Sequence, residues 1–350
     1  RCGGERWVKR GRRSRQLETR RGEMSFALLQ TTCRDCDRTW SPFVERLGLE
    51  PHQRATEGLE RRLVGLATEI SYRKASRWGE RTMDAMRSPM TIWRTVQQRG
   101  EQVAFTAEAD EARRLELDGT RLPVAGRSRG APVQMAFAIG EREGPRHRQK
   151  RLVGVGLGVG SWPEALDEAL APELVVYDGE RGLEQTVEDR YPEARTQRCA
   201  WHLVHKLEHQ LWRGGWPKEE RVWRVGELAE HLFGPAPPEA TRRVAIQGWA
   251  EHHFTPDSPG GRYLERAIGR VGYAEPSALR TTSHAERAMR EANRRTDIGA
   301  PWTEPGIGNL VRLRLARRHN PDDYDALWDD ENASEITLEA QVSEPAMSRL

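Results

Sequence analysis

A carboxylate at the C-terminal edge of a short apolar run is placed for chemistry as much as for solvation. Leu174, Val175, Val176 and Tyr177 form such a run between Pro172 and Gly179, and it ends in Asp178. The run has the composition of a strand buried on both faces, and α/β sheets carry their reactive groups at strand C-terminal ends. A second carboxylate, Asp118, closes the alternating segment Arg113 to Leu117 and is followed by Gly119-Thr120. A third, Glu286, opens a basic helix that continues through Arg287, Met289, Arg290, Arg294 and Arg295, with Glu291 as its rival five residues on. Carboxylate oxygens are the ligands that hard divalent cations prefer, and ions held this way promote in-line displacement at phosphorus. Each carboxylate taken singly also has a plain reading, as a solvated residue or as part of an ordinary strand–Asp–helix unit.

The elements that must position Asp178 follow directly. Gly179 permits a sharp turn, Leu183, Val187 and Tyr191 recur every four residues as one helix face, and Pro192 stops the helix. Thr196 to Cys199 reads as the next strand and leads into Cys199-Ala200-Trp201-His202. Two ligands do not make a zinc site, so Cys199 and His202 read as structural groups beside the Asp178 strand. Upstream, Pro132–Ile139 and Leu152–Val159 are further strands. The second interleaves Gly154, Gly156, Gly158 and Gly160 with Val and Leu. It matches neither phosphate-loop pattern, and its period of two favours a strand. Ala165, Leu166, Ala169 and Leu170 predict a helix.

This arrangement resembles the mutator-type DDE transposases of bacterial and archaeal insertion sequences. The resemblance rests on Asp178, Gly179, Gly182 and Leu183, then on Gln197, Arg198, Cys199 and His202, and on the Thr281-Thr282 turn before Glu286-Arg287. Many relatives carry Asn three residues before the Glu, where this chain has Ser283. Trp302, Gly306 and Asn309 match the end of the family's domain, so the likeness runs from about residue 40 to 320. It implies an α/β fold with an RNase H-like mixed sheet over residues 109–320, its first and fourth strands adjacent so that Asp118 lies near Asp178. It also implies a catalytic triad of Asp118, Asp178 and Glu286 holding Mg²⁺ (or Mn²⁺), and an all-helical insertion over about 205–278. Trp212, Trp216, Trp223 and Trp249 within that insertion read as packing residues.

Residues 43–108 are helical by spacing, with Leu59, Leu63, Leu66 and Ala67 on one stripe and Ser71 as a helix cap. Ser88-Pro89 starts another helix, on which Met90, Trp93 and Val96 or Gln97 form the apolar face and Thr91, Arg94 and Gln98 the outer one. Such a pair is helix-turn-helix-like, with the outer face directed at DNA; a plain helical bundle is the other reading. Residues 1–42 form a basic arm with Cys2, Cys33 and Cys36. These are three of the four thiolates of a zinc ribbon, and the fourth is expected three residues upstream of Cys2 in a longer reading frame. A basic tail with idle thiols is the alternative for the arm. Residues 321–350 hold nine acidic residues and one Arg, and read as an acidic disordered tail.

The formal charge of +3 therefore conceals a body of about +11, which favours a polyanionic partner. The expected partner is double-stranded DNA, as element ends and target, bound by a homo-oligomer, with Arg287, Arg290 and Arg294 among the residues that contact it. No apolar run approaches a membrane span, and the expected setting is the cytoplasm with the nucleoid. The function these readings predict is metal-dependent cleavage and strand transfer of an insertion sequence. A catalytically inactive, DNA-binding derivative is the alternative.

Overall fold

The structure is a computed structural model that describes residues 3, 6–46, 49–50, 52–107, 112–143, 147–180, 182–234, 239–271 and 280–328. The chain divides into two compact units, one of residues 1–96 with 325–350 and one of residues 97–324.

In the first unit, β1 (Trp7–Thr19) and β2 (Gly22–Cys33) pair as a long antiparallel hairpin, and β3 (Thr39–Trp40) adds to β2. The Arg-rich arm is thus sheet rather than a loose tail. Arg10, Arg12 and Arg13 are exposed along β1, while Leu17, two residues before the end of β1, and Leu28, at mid-length of β2, are buried. Cys33 and Cys36 flank the turn from β2 towards β3; Cys2 lies outside the described residues. Helices α1 (Pro42–Arg46), α2 (Glu57–Ala67), α3 (Tyr72–Met83) and α4 (Pro89–Glu101) follow. Ser71 caps α3, and Ser88 Oγ accepts the Thr91 amide at 3.1 Å to start α4. The buried face of α4 differs from the expected one. Ile92 and Val96, four residues apart, are buried, whereas Met90 and Trp93 are exposed. Arg94 and Gln98 are exposed as anticipated, but Thr91 is half-buried and its hydroxyl is engaged with Ser88.

The second unit is built on a five-stranded sheet. Its strands are β4 (Arg114–Val124), β5 (Arg127–Glu143), β6 (His147–Leu157), β7 (Leu174–Tyr177) and β8 (Arg195–Arg198), in the order β6-β5-β4-β7-β8. The first three pair antiparallel; β7 pairs parallel with β4, and β8 parallel with β7. Helix α5 (Trp162–Ala165) is one turn, shorter than the spacing at 165–170 predicts, and α6 (Leu183–Arg190) returns from β7 to β8. The glycines of β6 explain the close seating of α5 and of Ser161 before it. A side chain at Gly154 or Gly156 would overlap the backbone carbonyl of Ala165 or Ser161. Leu115 and Leu117 of β4 join Val175, Tyr177, Trp162, Leu183 and Val187 in one core on this face.

Four helices follow: α7 (Ala200–Arg213), α8 (Lys218–Phe233), α9 (Glu239–His253) and α10 (Pro259–Ile268). They bury their own core of Leu203, Leu207, Leu211, Leu228, Ile246, Trp249 and Leu264. Trp249 is buried and Trp216 packs against this core, but Trp212 and Trp223 are largely exposed, so half of the expected packing tryptophans do not pack. Helix α11 (Ser283–Thr296) packs on β4, and α12 (Glu304–His319) packs beside α11 and β6. Asn320 and Pro321 do not begin a loose tail. Asn320 bonds both backbone groups of Leu152, and Pro321 opens α13 (Pro321–Ala326) at a position where its missing N–H costs nothing. Tyr324 and Trp328 are buried, so the acidic segment is ordered through 328; residues 329–350 lie outside the description.

Candidate active site

Leu117 and Tyr177 are register partners on the parallel strands β4 and β7. Asp118 and Asp178 are the next residues, so they stand side by side across a strand spacing of about 4.8 Å. Asp178 is the first residue beyond β7, as its flanking Gly179 predicts. Asp118 lies within β4, which runs on to Val124 rather than ending before Asp118. Gly179 adopts φ +78°, and a side chain there would overlap the buried guanidinium of Arg198. Asp178 Oδ1 accepts the Glu180 amide at 2.8 Å, and Lys206 Nζ reaches its Oδ2 at 3.2 Å and its carbonyl oxygen at 2.9 Å.

Asp118 is 3% exposed. Burial, then the neighbouring Asp178 charge and more weakly Glu286, raises its pKa to about 7. Two hydrogen bonds oppose that rise, from the Gly119 amide at 2.8 Å and from Thr282 Oγ1 at 2.9 Å. Thr282 is a hub: Cys199 Sγ lies 3.6 Å and His202 Nδ1 3.4 Å from the same hydroxyl. The hydroxyl has one proton, and its shortest contact is to Asp118. Burial pushes the Cys199 thiol up and holds His202 below its ordinary range, although Asp178 and Glu286 pull His202 the other way. Cys199 Sγ and His202 Nδ1 thus both lie against the buried Thr282 hydroxyl.

Glu286 sits in the first turn of α11, within electrostatic reach of Asp118 and His202. Glu291 is directed to α12, where Arg318 Nη1 lies 3.5 Å from its Oε2. Arg287, Arg290 and Arg294 line the exposed face of α11, with Arg290 Nη2 4.0 Å from Glu286 Oε1. One residue of the site escaped sequence reasoning. Glu116, fully buried on the same side of β4 as Asp118, accepts the backbone amides of His284 and Ala285 at 2.8 and 3.2 Å and bonds His284 Nδ1 at 2.7 Å. It read as a polar strand position; an anion on the open amides of a helix N-terminus is a favourable pairing.

Oxygen donors with mutual repulsion suit a hard divalent cation, and Lys206 supplies positive charge at Asp178. Among the described residues, however, no three His, Cys, Asp or Glu side chains stand close enough to hold a metal ion together. Asp118 and Asp178 are adjacent across the parallel strands, and the charge of Glu286 acts on Asp118 more weakly than that of Asp178. Among the same residues, no helix is long and apolar enough to cross a membrane.

The family model "Transposase, Mutator family" matches residues 2–221, a span that holds Asp118 and Asp178 and ends before Glu286. The transposase for insertion sequence element IS905 of Lactococcus lactis subsp. lactis (strain IL1403) is 31% identical over 216 residues, covering 58% of this chain and 52% of that protein. The chain thus spans about half the length of this curated relative. Among solved structures, the Drosophila P element transposase strand transfer complex matches at a TM-score of 0.32 and 9% identity over 82% of each chain, a likeness too slight to argue from. With its model matched over more than half of the sequence, the chain belongs to the Mutator family of transposases.

Proposed function

We propose that the chain cleaves and joins DNA strands at the ends of an insertion sequence, with Asp118, Asp178 and Glu286 as its metal-binding carboxylates on an RNase H-like sheet. The observation that carries this reading is the placement of Asp118 and Asp178 at one level of two parallel strands, where burial and mutual repulsion leave Asp118 short of positive charge. The strand order, with three antiparallel strands and two parallel ones beyond the first, supports the fold assignment. Bound Mg²⁺ or Mn²⁺ would activate the attacking oxygen and stabilise the leaving oxygen of an in-line displacement. The residues of the chain have the remaining tasks. Asp118 and Asp178 hold the charge of the site at a fixed level of the sheet. Thr282 orients one oxygen of Asp118, with Cys199 and His202 behind it. Glu116 holds the start of α11, and so Glu286. Arg287, Arg290 and Arg294 meet the phosphates of double-stranded DNA beside the site, and in the other unit Arg94 and the β1 arginines offer DNA contacts of their own, with Gln98 of α4 as a further DNA-contact residue. Two element ends call for two copies, so the working form is a homo-oligomer.

The test is nicking of duplex DNA that carries the inverted repeats flanking the coding sequence. Wild type should nick it in Mg²⁺ and not in EDTA. Asp178→Ala should lose nicking while retaining DNA affinity. Nicking undiminished in Asp178→Ala would overturn the assignment, and a wild type that binds without nicking would favour the inactive DNA-binding reading.

A further inference from the structure

The exposed face of α7 carries four rings in two stacked pairs. Trp201 and His205 lie with centroids 5.2 Å apart and planes 13° from parallel; His209 and Trp212 lie 5.5 Å apart at 24°. Trp201 is 46% and Trp212 61% exposed. The opposite face of the helix, Leu203, Leu207 and Leu211, is committed to the core of the insertion, so the rings are not needed for packing. The stripe spans about 16 Å from Trp201 to Trp212 at helical rise, the length of four to five nucleotides at about 3.4 Å each.

We propose that this face is a stacking platform for unpaired DNA bases beside the scissile phosphate, an inference that rests on the function proposed above. Three observations select this occupant. The stripe begins at the site: the Trp201 ring packs edge-on against His202 at 4.9 Å, and His202 contacts Thr282, which donates to Asp118. At the far end of the stripe Arg213 is exposed beside Trp212 and offers a cation to a strand phosphate, while Lys206 is engaged with Asp178. The pattern of flat rings, with imidazoles between the indoles and no aliphatic side chain among them, presents π-faces that any base can cover. Hydrolysis of one phosphodiester leaves the base pairs intact, so the bases this platform takes are those that fray at the element end, and stacking repays their unpairing and holds that strand in line with the carboxylates.

The probe is fluorescein-labelled (dT)16, compared with a 16-base-pair duplex, binding to the full chain in EDTA. Trp201→Ala with Trp212→Ala should weaken (dT)16 binding at least about tenfold, the scale of one lost base stack, with duplex affinity within about twofold. Phe at both positions should restore binding, and Trp212→Ala alone gives a smaller loss should the double variant fold poorly. Unchanged (dT)16 affinity, or an equal fall in both affinities, would overturn the platform. So would a change of oligomeric state in the double variant by analytical ultracentrifugation, which would mark the stripe as a contact between copies. Nicking is read separately: its absence in wild type would remove the proposed function, whereas a nicking wild type with (dT)16 binding indifferent to both tryptophans would remove the platform alone.

Discussion

Glu116 and His284 are 168 residues apart in sequence and 2.7 Å apart in the fold. The bond ties β4, two residues before Asp118, to the first turn of α11, two residues before Glu286. One buried carboxylate therefore sets the distance between two of the three proposed ligands. Replacing it with Ala leaves two amides and an imidazole without an acceptor, a loss of about 3 kcal/mol in stability. Glu116→Gln keeps an acceptor and should retain most of the fold. The expected outcome is a ranking in Mg²⁺-dependent nicking of wild type, then Gln, then Ala, with Mn²⁺ affinity following the same order. Equal nicking by folded Ala and wild-type proteins would show that the bond does not position Glu286.

Asp118 holds its proton to about pH 7, against 3.8 for an ordinary carboxyl. Without metal, the folded chain then binds one proton more than the unfolded chain between those values. The associated stability is complete below the lower value and is lost as pH rises through 7. At pH 8 in EDTA, Asp118→Asn should accordingly be more stable than wild type by about 1–4 kcal/mol, and at pH 4 it should show no such gain. Thermal melts across pH decide the matter; a difference independent of pH would mean that Asp118 is not protonated in the fold.

Thr282→Val removes the hydroxyl that lowers the pKa of Asp118. The acidic limb of the nicking pH profile should move to higher pH, while Cys199→Ser should leave it nearly in place. A profile unmoved by Thr282→Val would assign the hydroxyl to packing.

Glu286→Gln should lower nicking by at least about a hundredfold, the scale of losing one electrostatic group from a transition state. Glu291→Gln, which disturbs only the contact with α12, should stay within a few-fold of wild type. The reverse pattern would move the third carboxylate to Glu291.

The Asp178 segment was legible because its punctuation is local: Pro172 and Gly179 bound four apolar residues, and all four are buried in β7. The strand order around Asp118 was legible only through the resemblance, since nothing local states which strands pair. Glu116 was not legible, because alternation along β4 assigns it to the polar face and its partners come from a distant helix. On α4 the apolar residues Met90, Ile92, Trp93 and Val96 fall on more than one face, and tertiary packing, not periodicity, chose Ile92 and Val96. The β1–β2 hairpin was hidden by its exposure: a strand with most of its residues in solvent need not alternate. Pro321 stops one helix and starts the next, and only the burial of Asn320 and Tyr324 distinguishes the two roles.

Mn²⁺ binding followed by electron paramagnetic resonance tests the central claim most directly, because it reads the carboxylates before any DNA chemistry. Wild type should bind Mn²⁺ at pH 8, Asp118→Asn and Asp178→Asn should each lose that binding while remaining folded, and Glu291→Gln should keep it. Mn²⁺ binding undiminished in both Asp variants would contradict the assignment of Asp118 and Asp178 as a shared metal site.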